Sequence, residues 1–265
     1  MSKRETRPAA TADLPLDPEQ ILGLALFVFL AGRGGTGKTL LLRWIVERAL
    51  AAGRELFIAD GDRTNRSLPL FLEDVSAPPG ASDQIVWRWL EKIITNMVAK
   101  RFNLVLDLGG GDLVLKRMAL ELALQSLLET NGIAPVVLHL LSPEVESLAY
   151  LASLEDNGLF APERTALILN EGLVPLGHDD DEAVFAPVRE HEVFKAAIRR
   201  GAVPIVMPRL RPAFEINARH LSFANAAAGL AKEGQKPLSI FERQYAVLWL
   251  ATMEKAFEPI TGWLP

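Results

Sequence analysis

Along the chain, short, largely apolar blocks alternate with longer stretches in which apolar residues return every three or four positions. The blocks at residues 24–31, 55–59, 103–108, 135–141, 165–170 and 203–207 predict strands covered on both faces. The three-to-four spacing predicts helices over residues 39–52, 83–100, 112–130, 143–155, 189–200, 213–230 and 239–257. Strands alternating with helices predict an α/β three-layer sandwich, a mostly parallel sheet with helices on both faces and a ligand at the carboxyl ends of its strands. Residues 1–20, rich in Pro and Ala, predict a tail ahead of a single domain over residues 21–265. The stretch 171–187, with Gly, Pro and an acidic run, predicts an exposed loop. Trp87 and Trp89, two apart on a predicted helix, cannot share a face, so one of them should be exposed. In the last helix Phe241, Tyr245, Leu248, Trp249, Met253 and Phe257, with Trp263 beyond, have the spacing of a helix docked on a core.

The octapeptide from Gly32 to Thr39, GRGGTGKT, fits the phosphate-binding pattern G-x-x-x-x-G-K-[ST]. A predicted strand precedes it and a predicted helix follows, and the pattern needs that context. Backbone N–H groups of Gly32, Arg33, Gly34, Gly35, Thr36, Gly37 and the first helical residues through Leu40 can then wrap a phosphate chain. Lys38 reaches the β and γ oxygens, and Thr39 ligates Mg²⁺. Asp107 closes the apolar run Leu104-Val105-Leu106, so it lies at a strand end beside the loop and can hold the metal through water. Asp60 and Asp62, at i and i+2 on the end of another strand, project to the same side.

These residues resemble the ParA/MinD family of deviant phosphate-loop ATPases, within the SIMIBI class of P-loop NTPases. The loop looks like that family's KGGxGKT, with Arg33 in place of its signature lysine. Asp60-Gly61-Asp62-Arg63-Thr64-Asn65 is similar to its D-x-D-P-x-N, with Arg63 for the proline, and Asp107 falls at its magnesium-side carboxylate. Leu167-Ile168-Leu169-Asn170 resembles the strand whose asparagine contacts the base. Ile205-Val206-Met207-Pro208-Arg209 is similar to the segment that packs on the base from the other side. The resemblance spans residues 24–257 in family order. The plasmid conjugal-transfer and stability branch (TraL/StbB-like) is similar also in Leu221, Ser222, Phe223, Ala226, Arg243 and Gln244. What the resemblance implies is an ATP hydrolase in which Asp62 orients the attacking water, Asp60 supports the magnesium shell and Arg33 crosses an ATP-dependent homodimer to the partner's phosphates. It also implies a plasmid- or secretion-linked partner protein. Two other readings remain open. A ligase or kinase of the dethiobiotin-synthetase type needs a loop beginning G-T, where this one begins Gly32-Arg33. A nucleotide-gated binding module without hydrolysis would not need the water-orienting Asp62, and intact Asp60, Asp62 and Asp107 weigh slightly against it.

Composition narrows the class. The absence of cysteine among 265 residues removes disulfides and thiolate metal sites, and with them the nitrogenase iron-protein and arsenite-pump relatives. It fits a reducing, cytoplasmic setting, as does an N-terminus without a signal-peptide core. No N-K-x-D or T-K-x-D motif is present, which favours ATP over GTP. A net charge of −5 argues against a surface basic throughout. Residues 189–219 nevertheless carry Arg189, Lys195, Arg199, Arg200, Arg209, Arg211 and Arg219 against Glu190, Glu192 and Glu215, a candidate face for non-specific DNA. The last helix lacks the rows of Lys and Arg expected of a helix lying on an anionic bilayer, so a membrane role is not expected.

Overall fold

The computed structural model describes residues 24–63, 66–110, 113–155, 158–175, 177 and 181–265. The tail, Thr64, Asn65, Asp179 and Asp180 lie outside the described residues. Among these residues, one seven-stranded sheet is built from β1 (Ala25–Ala31), β2 (Leu56–Asp60), β3 (Val75–Ser76), β4 (Asn103–Asp107), β5 (Ile133–Leu141), β6 (Arg164–Asn170) and β7 (Val203–Met207). Their order is β3-β2-β4-β1-β5-β6-β7, and every pair is parallel. The expected α/β sandwich is thus realised with a wholly parallel sheet.

Alternation along each strand sorts the side chains into two apolar layers. Val28, Leu30, Val136, Leu138 and Leu140 pack against α1 (Lys38–Ala51), α9 (Ala213–Ala218), α10 (Phe223–Ala228) and α11 (Ile240–Ala256). Phe27, Phe29, Leu106 and Val137 meet α2 (Asp83–Lys100), α3 (Val114–Leu122) and α4 (Leu124–Thr130) on the other face. Leu141, Leu167 and Leu169 continue that second face under α5 (Ala149–Glu155), α7 (Ala186–Glu190) and α8 (Glu192–Arg200), with the short α6 (Asp181–Val184) just before α7. All nine residues of β5 are buried, His139 among them. Because every strand runs the same way, the carboxyl ends of β1, β2, β4, β6 and β7 share one edge. Gly32, Asp60, Asp107, Asn170 and Pro208 are delivered there together.

Several expected elements differ. β3, at two residues, has no apolar run to announce it. The expected helix 112–130 is two, because Ala123 takes φ 47°, a left-handed turn between α3 and α4. His220, at φ 48°, likewise ends the expected helix 213–230 after α9, and Ser222 caps α10. His191 interrupts 189–200 and caps α8, its Nδ1 accepting from the Val193 amide at 3.2 Å. The helix expected over 143–155 opens as a 3₁₀ turn, Val145–Leu148. Stretch 171–187 is not simply an exposed loop: it holds the 3₁₀ turn Glu171–Leu173 and α6, and buries Val174 and Phe185 in the layer beneath α8. Trp89 is buried, its Nε1 donating to Ser76 at 3.2 Å, while Trp87 is half-buried and bonded to Glu91. In α11 the expectation of core packing holds for Trp249 and Met253 and fails for Phe241, Tyr245 and Leu248, which are exposed. The spacing could not separate the two sides because both are apolar.

Candidate functional site

β1 ends at Ala31, and the chain turns through residues 32–37 directly into α1. Gly37 caps the helix at φ 96°, and a Cβ there would stand 2.5 Å from Asn170 Nδ2. Only glycine combines that angle with that approach. Asn170 holds the turn: Nδ2 donates to the Thr36 carbonyl at 2.9 Å and Oδ1 accepts from the Gly172 amide at 2.8 Å. Thr36 Oγ1 donates to the Arg33 carbonyl at 2.8 Å. With no side-chain cap on α1, its first N–H groups are left for an anion. Lys38, buried at the head of α1, folds back and donates to the carbonyls of Gly32 at 3.1 Å and Arg33 at 2.9 Å. Burial lowers the pKa of its ammonium, and the nearby charges of Asp107 and Asp62 oppose that shift.

Beside Lys38 stand two buried carboxylates, register partners on β2 and β4. Thr39 Oγ1 donates to Asp107 Oδ2 at 3.0 Å, and the Asp62 amide donates to Asp60 Oδ1 at 3.0 Å. The second oxygens, Asp107 Oδ1 and Asp60 Oδ2, are buried without a hydrogen-bond partner. Burial pushes Asp107 up to about 7; Lys38 and the Thr39 hydroxyl pull it down, and Asp60 and Asp62 add to the rise. Burial likewise pushes Asp60 up to about 6, with the Asp62 amide, the Arg66 charge and the Leu68 amide opposing and the Asp62 charge reinforcing. A hydroxyl and two carboxylates with orphaned oxygens form an all-oxygen donor set suited to a hard divalent cation, so Mg²⁺ fits these residues.

Lys38, Thr39 and the half-buried Asp62 line one cavity of about 590 Å³ together with Gly110, Phe71 and His220. A Cβ on Gly110 would stand 2.0 Å from the Gly34 nitrogen, so the loop after β4 lies directly on the loop between β1 and α1. A neighbouring cavity of about 700 Å³ is lined by Leu40, Asn170, Leu173, Arg209 and Asn217, with no Asp or Glu among its described lining residues. Arg209 donates to the Val174 carbonyl, and the Pro208 carbonyl accepts from Trp249 Nε1 at 2.9 Å. Arg33 belongs to neither cavity. Its guanidinium turns to Glu144, 3.7 Å away, where both side chains are exposed beside a cavity of about 330 Å³. The fold therefore gathers Lys38, Thr39, Asp60, Asp62 and Asp107 in one place, seats Asn170 and Arg209 next to it, and leaves Arg33 outside.

Sequence reasoning missed three contributors. Gly110 was visible only as part of a glycine run after Asp107, and its close approach needs the fold. Arg43 reads as the polar side of α1, yet it is buried between the rings of Phe71 at 3.6 Å and Phe223 at 4.5 Å, donating to Asn217 and the Leu221 carbonyl. Arg66 acts on Asp60 through charge alone. The expected basic face over residues 189–219 does not form. α8 lies on one side of the sheet and α9 on the other, and Arg209 is at the strand edge between them. Lys195 and Arg199 pair with Glu192, Arg200 with Glu155, and Arg219 with Glu215. No described helix is long and apolar enough to cross a membrane.

Neither a protein-family model nor a curated protein matches the chain. Among solved structures, it is similar to the MinC:MinD cell division protein complex of Aquifex aeolicus, at 13% identity over 87% of this chain and 96% of that one, TM-score 0.47. It is also similar to chloroplast FtsY of Physcomitrella patens, at 17% identity over 86% of this chain and 67% of that one, TM-score 0.44. The signal recognition particle receptor FtsY of Elizabethkingia anophelis in complex with GDP matches at 13% identity over 91% and 67%, TM-score 0.42.

Proposed function

We propose that the chain is a magnesium-dependent ATPase of the ParA/MinD type, in which ATP drives a homodimer that works on a plasmid-positioning or plasmid-transfer partner protein. The observation that carries the ATPase part is the pair of orphaned, buried carboxylate oxygens of Asp60 and Asp107 beside Lys38 and Thr39. The partner rests on the order of the sequence motifs alone.

In this reading, Lys38 leaves the Gly32 and Arg33 carbonyls for the β and γ oxygens, and the free amides of the loop and of α1 take the remaining phosphate charge. Thr39 and Asp107, joined by a hydrogen bond, would hold Mg²⁺ with Asp60, and the metal when bound would neutralise phosphate charge. Asp62 orients the water that attacks the γ-phosphorus, giving ADP and inorganic phosphate. Gly110 brings the β4 loop close enough to follow the state of that phosphate. Asn170 braces the loop and, with Pro208 and Arg209, borders the base. Guanine would offer its N1–H and N2–H₂ donors to a cavity whose described side chains are mainly donors, which favours adenine. Arg33, held outside its own site by an exposed ion pair worth little, is free to reach a second protomer's phosphates.

Calorimetric titration with ATP, with and without Mg²⁺, tests the assignment on the parent and on Lys38→Ala and Asp107→Asn. Tight binding should need the metal, vanish in Lys38→Ala and lose its metal dependence in Asp107→Asn. Parental affinity in a folded Lys38→Ala protein overturns the site. GTP competing as well as ATP removes the base assignment only.

A further inference from the structure

A helix packed on a core ordinarily turns a polar face to water. α11 does not. Ala246, Trp249 and Met253 enter the core, yet the outward side carries Ile240, Phe241, Tyr245, Val247 and Leu248, with Phe241 75%, Ile240 74% and Leu248 53% exposed. Between residues 240 and 255 only Gln244, Thr252 and Lys255 interrupt this arc, and the Thr252 hydroxyl is turned back onto the Leu248 carbonyl at 2.8 Å. Arg211, 5.2 Å from the Tyr245 ring, brings the start of α9 to the border of the arc, where Phe214 is 78% exposed.

We propose that this face is a two-fold interface with a second copy of the chain, α11 packed antiparallel on α11 of the partner subunit, formed without nucleotide. It is separate from the pairing through Arg33 and goes beyond the proposed ATPase. Three features favour a second copy. At ~200 Å² for a large apolar side chain, the exposed parts of the five residues on α11 offer roughly 600 Å². Phe214 and the polar margin bring this near the ~800 Å² per partner of a stable interface. The charges are self-complementary: Arg243 and Glu254 are three turns apart, so they share one flank, equidistant from the Leu248–Trp249 midpoint. Two-fold antiparallel packing sets that flank against itself in reverse order, Arg243 facing Glu254 of the partner subunit twice over. Glu254, bonded to Arg48, keeps half of its side chain exposed for this. Ala251, beside Leu248 on the outer arc, lets the two backbones approach at the axis. A lone lysine on the arc gives an anionic bilayer or a nucleic acid little to hold.

Because the chain has no cysteine, single introduced thiols report the geometry directly. Leu248→Cys, at the axis, should form an intersubunit disulfide under mild oxidation without nucleotide. Ile240→Cys, on the same arc but more than two turns from the axis, should not. Sedimentation of the ligand-free protein should show a dimer that Leu248→Glu weakens at least tenfold and Arg33→Ala leaves unchanged. Parental Mg·ATP affinity in Leu248→Glu would show that the fold and the nucleotide site survive. A ligand-free parent that stays monomeric, a dimer indifferent to Leu248→Glu, one lost in Arg33→Ala, or equal cross-linking at positions 240 and 248 each overturns the proposal. Vesicle or DNA binding by a monomeric parent, lost in Leu248→Glu, would give the face to those partners instead. Absent ATP binding with this dimer intact would sink the ATPase reading alone.

Discussion

His139 interrupts the apolar run of β5 and ought to make the protein acid-sensitive. It sits in register with Ala31, the residue before the phosphate loop, and with Leu167. It is 1% exposed, and neither ring nitrogen has a hydrogen-bond partner. Burial holds its pKa down at about 3, helped by the positive charge of Arg200. The unfolded chain takes up this proton near pH 6.5, whereas the folded protein refuses it until about 3, so stability is complete above 6.5 and drains as pH falls towards 3. At about 1.36 kcal/mol per pH unit for one proton, the loss between pH 7 and pH 5 is about 2 kcal/mol. His139→Leu removes the titration and also the two unsatisfied nitrogens, worth about 1–3 kcal/mol at pH 7. The variant should therefore be more stable at pH 7, with the gap widening by about 2 kcal/mol at pH 5. That is roughly 4–8 °C in the midpoint of a domain this size. Urea unfolding of ligand-free parent and variant at both pH values measures the gap, and every other titrating group is shared and cancels. Two pH profiles that run parallel would refute the argument.

Gly110→Ala should leave the fold intact but displace the β4 loop or the phosphate loop, lowering Mg·ATP affinity at least tenfold by calorimetry, because its Cβ would meet the Gly34 nitrogen at 2.0 Å. Asp62→Ala should bind nucleotide and lose turnover in a phosphate-release assay; parental turnover would move the water-orienting role elsewhere. Arg43→Met should cost about 3–5 kcal/mol by leaving the buried Glu47 carboxylate without its cation, and adding Glu47→Gln should recover most of it in urea melts.

The sequence showed what is local and repetitive. Each strand delivering a site residue was legible because a central parallel strand must be apolar on both faces, and the ends of those runs located Asp60, Asp107 and Asn170. Gly32, Gly37, Lys38 and Thr39 were legible because the G-x-x-x-x-G-K-[ST] pattern constrains neighbours in sequence. What stayed hidden depends on distant segments. The breaks at Ala123 and His220 use left-handed φ in residues with no glycine signal. Arg43 looks like a surface residue until Phe71 and Phe223 close over it. The basic stretch around Arg199 and Arg219 looked like one face because charge was counted along the chain, while the sheet passes between its halves. Periodicity placed α11 correctly and its faces wrongly, since apolar residues on all sides carry no direction.

At Asp107 and Asp60 burial outweighs every favourable contact, and the two carboxyls are pushed up, to about 7 and about 6. Lys38, the nearest cation, donates to two backbone carbonyls instead of neutralising them. Both raised pKa values weigh against the folded state at neutral pH. The raised pKa of Asp107 means that the folded protein holds a proton which the unfolded chain gives up near 3.8. Its penalty therefore grows as pH rises from there to about 7 and is constant above. Between pH 7 and pH 5 acidification should return about 2 kcal/mol through Asp107, opposite in sign to His139 and of similar size. Asp107→Asn cannot titrate. The ligand-free variant should therefore be more stable than the parent at pH 8, by an amount that shrinks by about 2 kcal/mol at pH 5, while its response to Mg·ATP is lost. Urea melts at the two pH values decide it. A variant less stable than the parent at pH 8, by the same margin at pH 5, would show that Asp107 is ionised and satisfied in the ligand-free folded protein, and would leave the proposed metal site without its main support.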